Sequence, residues 1–117
     1  MKFVEIGLID IDKPREEGNY NTGDTNSIAW DSFGDILDDS LKDHPEIIES
    51  IKSEEWIYSG TYSFIDLQAS DFNLAIKKIR SFIENINAPT EYQLYGIALW
   101  NDVLEPLFPK DSRYNEN

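Results

Sequence analysis

The sequence predicts an α+β domain, a twisted sheet of about three strands with helices packed on one face, in the order β-α-α-β-α-β. Three observations lead there. Runs rich in β-branched and aromatic residues stand at the beginning, middle and end of the chain. Between them lie segments whose apolar residues recur at helical spacing. The length, 117 residues, suits one domain covering 1–117 with a core of its own.

Residues 2–12, KFVEIGLIDID, read as the first strand, apolar on both faces before acids intrude. Residues 13–27 follow as a long polar loop punctuated by Pro14, Gly18 and Gly23. Over 28–42 a helix gathers Trp30, Phe33, Ile36, Leu37 and Leu41 on one arc. Asp31, Asp35, Asp38 and Asp39 gather on the opposite arc. His44-Pro45 breaks that helix, because a residue before proline avoids helical angles. Pro45 opens a second short helix carrying Ile47, Ile48 and Ile51.

Residues 54–67, EEWIYSGTYSFIDL, are expected to form one long strand with a bend or bulge at Gly60. Trp56, Tyr58, Tyr62 and Phe64 would then point one way. Ser70 or Asp71 caps the next helix, whose stripe runs through Phe72, Ala75, Ile76, Ile79, Phe82, Ile83 and Ile86. Ala88-Pro89 ends it. Residues 91–103, EYQLYGIALWNDV, make the last strand, and 105–117 is expected to be a frayed tail.

Charge and chemistry narrow the function. There is no cysteine, so disulfides and thiolate chemistry are excluded. The N-terminus lacks a secretory apolar core and no run is long enough to span a bilayer, so a cytoplasmic location is expected. Asp and Glu number 23 against 10 Lys and Arg, leaving −13, which disfavours direct binding of nucleic acid or an anionic membrane. The sole histidine, His44, sits beside a helix-breaking proline, and no nucleophile motif accompanies it. The expectation is therefore a protein that is not an enzyme and carries no cofactor. Asp10 and Asp12, with Glu16 and Glu17, offer carboxylates at a strand end, but their spacing fits no calcium loop. Simple exposure explains them, and no metal site is assigned.

The acids are unevenly placed. Between Asp24 and Glu55 ten acids face two bases, Lys42 and Lys52, a local balance of −8. Carboxylates at 31, 35, 38 and 39 stack at i, i+4, i+7 and i+8, a pattern that destabilises an isolated helix by a few tenths of a kcal/mol per pair. A face left unmixed with lysine suggests that a basic partner supplies the counter-charge. Asp31, Asp35, Asp38 and Asp39 are the leading partner-binding candidates. Glu46 and Glu49 on the second helix, and Glu16, Glu17 and Tyr20 in the long loop, join them.

This combination of a small chain without cysteine, an acidic amphipathic helical region, aromatic-rich strands and no active site resembles the immunity proteins of bacterial contact-dependent growth inhibition and related polymorphic toxin systems. The resemblance implies a bacterial antitoxin that neutralises a cognate toxin domain, such as a nuclease, by covering its basic active-site surface through protein–protein contact. Two further readings share the acidity or the loop acids: a DNA-mimic inhibitor from a phage or mobile element, and a small metal-dependent or adaptor module.

Overall fold

The computed structural model describes residues 2–6, 25–54, 58 and 60–115. It corrects the expected fold class. The chain is mostly helical, and the one sheet among the described residues is a short two-stranded ribbon instead of a three-stranded layer. Strand β1 (Phe3–Glu5) pairs in parallel with β2 (Thr61–Ser63), Val4 opposite Tyr62. All of β2 is buried, so no polar-out alternation marks it.

Helix α1 (Ser27–Ser40) lies at the centre of the packing. Asn26 caps it, its Oδ1 accepting from the Ile28 and Ala29 amides at 2.7 and 3.3 Å. Its buried side carries Trp30, Phe33, Ile36 and Leu37. Helix α2 (Pro45–Ile51) starts on the expected proline and buries Ile47 and Ile51. Helix α3 (Ala69–Glu84) buries Phe72, Ala75, Ile76 and Ile79, four residues of the predicted stripe.

Among the described residues, the strand expected over 54–67 survives only in part and the one over 91–103 not at all. Glu54 and Tyr58 have helical backbone, and Gly60 enters β2 at φ 79°, where side-chain-bearing residues are strained. Strand structure among the described residues of 54–67 is confined to Thr61–Ser63. Tyr62 and Phe64 are buried, whereas Tyr58 is exposed, so these rings do not share one face. Trp56 lies outside the described residues.

The segment expected as the last strand, 91–103, is helix α4 (Glu91–Ala98), which widens into a π-helix over Leu99–Leu104. Thr90 caps α4 by a reciprocal box: its Oγ1 accepts from the Gln93 amide at 3.1 Å, and the Gln93 side chain accepts from the Thr90 amide at 2.9 Å. The wide π turn buries Leu99, Trp100 and Leu104 together.

Where α4 crosses α1 the backbones nearly touch. A Cβ on Gly96 would lie 2.8 Å from the Phe33 amide nitrogen. At this crossing the Ser32 hydroxyl donates to the Tyr92 carbonyl (2.7 Å) and accepts from the Gly96 amide (3.0 Å). Residues 92 and 96 are an i, i+4 pair, so a side chain of α1 bridges one rung of the α4 ladder.

The tail expected to fray over 105–117 is packed through residue 115. A turn of helix α5 (Glu105–Leu107) and a 3₁₀ turn (Phe108–Lys110) bring Phe108 fully inside, against Phe64, Phe72 and Trp100 with ring centroids 5.2–5.6 Å apart. The Arg113 guanidinium donates to the carbonyls of Ile6 (2.6 Å), Phe64 (2.8 Å) and Leu67 (2.6 Å), and pairs with buried Asp111 at 2.9 Å. One residue thus ties the exit of β1 and the exit of β2 to the C-terminus.

Candidate acidic binding face

The carboxylates of α1 form a ridge between two aromatic walls. Asp31, Asp35 and Asp39 recur every fourth residue and are exposed. One wall is β2, where buried Tyr62 stacks on Trp30 with centroids 4.0 Å apart and parallel rings. The other is the start of α4, where Tyr92, Thr90 and Gln93 line a hollow of about 230 Å³ together with Asp35 and Asp39. Both carboxylates reach that hollow because positions 35 and 39 flank the side of α1 on which Ser32 and Ile36 meet α4.

The ridge's field is felt by both phenols. Burial, followed by the charges of Asp31, Asp38 and Asp35, pushes the Tyr62 phenol well above its ordinary range. The Tyr92 phenol is raised as well, by desolvation first, then by the charges of Asp35 and Asp31 and by a hydrogen bond to the Asp35 carboxylate. Two tyrosines on opposite sides thus register the same carboxylates.

Counter-charge within the chain is sparse. Among the described residues only Asp38 of the four α1 acids has an ion pair, with Lys52 Nζ at 2.9 Å. That ammonium also donates to the Gly34 carbonyl at 3.0 Å and lies 5.5 Å from the centre of the Tyr62 ring. Lys52 is therefore a brace between the end of α2 and the middle of α1, and Asp38 belongs to the brace. Lys42 and Lys78 share a second hollow with Asp39 but form no ion pair with it. Among the described residues, no ion pair neutralises Asp31, Asp35 or Asp39.

The other candidates separate. Glu46 and Glu49 are exposed on α2, with Glu46 Oε1 3.6 Å from His44 Nδ1, a charged pair only when the histidine is protonated. The side-chain link from α2 to the α1 ridge is Lys52 and not either glutamate. Glu16, Glu17 and Tyr20 lie outside the described residues, as do Asp10 and Asp12. Among the described residues no three His, Asp or Glu side chains converge to hold a metal ion, and no helix is long and apolar enough to cross a membrane.

Sequence reasoning missed Tyr62, Tyr92 and Lys52 as members of this face. The available signal was Thr90-Glu91-Tyr92-Gln93, a capping-box pattern directly after Pro89. Read as a helix start, it places Tyr92 in the first turn, beside α1. Compared with known proteins, the chain matches no family model, no curated protein and no solved structure.

Proposed function

We propose that this chain is a binding protein that covers a basic surface on another protein with the Asp31, Asp35 and Asp39 ridge. The observation that carries the reading is a set of three exposed carboxylates at i, i+4 and i+8 with no ion pair among the described residues. Like charges at that spacing cost the isolated helix a few tenths of a kcal/mol per pair. A partner's Lys or Arg removes that cost on binding and gains electrostatic steering toward the complex.

A partner suited to such a face is a domain whose own substrate is polyanionic, because its active site must present clustered cations. An immunity protein neutralising a nuclease toxin fits this description, with carboxylates standing where phosphates would lie. The aromatic walls on both sides would exclude water from the ion pairs, which strengthens them.

The test uses the purified chain as bait for its source lysate at low salt, beside a variant carrying Asp31→Lys, Asp35→Lys and Asp39→Lys. Asp38 is left intact because it braces Lys52. Wild type retains a basic protein that the variant, unfolding at the same urea concentration, does not. Equal retention by both baits at low salt overturns the reading.

A further inference from the structure

Beside the acidic ridge, the solvent side of α4 is apolar where a lone surface helix should be polar. Ile28, Tyr92, Leu94 and Tyr95 are the large apolar side chains exposed along the α1–α4 pair, at 48, 42, 50 and 42%. Two adjoining hollows of about 230 and 330 Å³ share Tyr95 and Ala98. The first is completed by Glu91 and Leu94. The second reaches across to Asn26 and Ala29 at the start of α1. Both are shallow grooves, and every charged residue lining them is acidic: Glu91 at one end, Asp102 at the other.

Sequence spacing explains the shape. Positions 91, 94, 95, 98 and 102 fall on one side of a helix, so acid, two large apolar residues, one small residue and acid follow in line. Ala98 leaves the depression between Tyr95 and Asp102. From Glu91 to Asp102 the groove runs about 16 Å, roughly three turns.

We infer that this groove takes a basic amphipathic helix of a partner protein, its apolar residues against Leu94, Tyr95 and Ala98 and its Lys or Arg against Glu91 and Asp102. The proposal rests on the acidic-face reading and names the anchor that reading lacks. Charges steer and select, while desolvated aromatic and aliphatic side chains at the centre of an interface hold it. The groove has such side chains with an acidic rim, matching helix-in-groove recognition. Charge decides against a second copy of the same chain as occupant. Two molecules each at −13 would press acid rim against acid rim. The chain's own segment 7–24 is a poor occupant for the same reason, with Asp10, Asp12, Glu16, Glu17 and Asp24 against Lys13 and Arg15.

The probe is a synthetic helical peptide of leucine and lysine, about 14 residues long, with leucine on one face. Titrated into the isotopically labelled chain, it shifts amide resonances of 91–103 and 25–29. Replacing Leu94→Ser and Tyr95→Ser weakens binding at least tenfold while the helical circular dichroism and a cooperative urea transition are kept, since both side chains are about half exposed. High salt weakens wild-type binding less than it weakens that of the double variant. A counterpart peptide with glutamate for lysine does not bind. The inference is overturned if the double variant binds like wild type, or if shifts avoid 91–103. It is equally overturned if a photo-cross-linker at position 95 yields homodimer or an adduct to residues 7–24. Loss of peptide binding in Asp31→Asn/Asp35→Asn/Asp39→Asn with none in Leu94→Ser/Tyr95→Ser rejects the groove and leaves the acidic face standing.

Discussion

The Tyr62 ring reaches across the α1 helix so closely at Gly34 that a Cβ there would collide with the phenol oxygen. The contact joins β2 to α1 at the ridge. It explains a glycine in mid-helix, where glycine normally costs about 1 kcal/mol against alanine. The same absence of a side chain opens the Gly34 carbonyl to Lys52. A single missing methyl therefore seats a tyrosine and a lysine.

Gly34→Ala is expected to destabilise the fold by about 1–3 kcal/mol in urea unfolding, because overpacking outweighs the gain in helix propensity. Adding Tyr62→Phe removes the colliding oxygen and should restore part of the loss. A stabilised Gly34→Ala would show that the tyrosine is free to move away.

The Tyr62 phenol also predicts a pH response. Its folded pKa is raised, so its contribution is fully present below the unfolded value of about 10. Above that pH the unfolded chain ionises first, and stability falls until the folded value is passed. Urea midpoints should drop between about pH 9 and 11, and Tyr62→Phe should drop less over the same range. Equal slopes would mean that the phenol is solvated.

These contacts show what was legible in the sequence and what was not. The first three helices were readable because Trp30-Phe33-Ile36-Leu37, Ile47-Ile51 and Phe72-Ala75-Ile76-Ile79 repeat at helical spacing and Pro45 opens the second, although α3 starts ahead of the expected caps Ser70 and Asp71, after Gln68, which makes no side-chain cap. Helix α4 was not, since its aromatic residues carry strand propensity and its outer side stays apolar, so amphipathic periodicity is weak. Its evidence lay in the Thr90–Gln93 box, a local signal that outweighs propensity. The tail misled for another reason: KDSRYNEN is polar, yet Arg113 meets the Ile6 carbonyl 107 residues away in sequence, which no local pattern reveals. Of the face, the acids were legible from spacing. That Asp38 is spent on Lys52 required the tertiary structure.

Arg113 gives the tail its own test. Its guanidinium lies 3.9 Å from the centre of the Phe72 ring, donates to four main-chain carbonyls and neutralises buried Asp111. Arg113→Ala strands those groups and should cost about 3–5 kcal/mol by urea unfolding. Arg113→Lys should fall between, since an ammonium cannot replicate the planar fork. A loss below about 1 kcal/mol for Arg113→Ala would show that the tail is dispensable.

The acidic ridge makes an opposite forecast for neighbouring aspartates. Asp35 sits one turn from both Asp31 and Asp39, all three exposed and without ion pairs among the described residues. Asp35→Asn removes two like-charge contacts and keeps an oxygen that can accept from the Tyr92 phenol, so it should raise the stability of the free chain by up to about 0.5 kcal/mol. Added salt should stabilise wild type more than this variant, because it screens what the substitution deletes. Asp38→Asn should lower stability by up to about 1 kcal/mol, because Lys52 loses its carboxylate in a partly exposed pair. A ridge kept for binding costs the free molecule and is relieved on neutralisation, whereas a ridge kept for folding does the reverse. Loss of stability in Asp35→Asn would therefore place Asp35 among the groups that hold α1 in the fold and withdraw it from the partner surface.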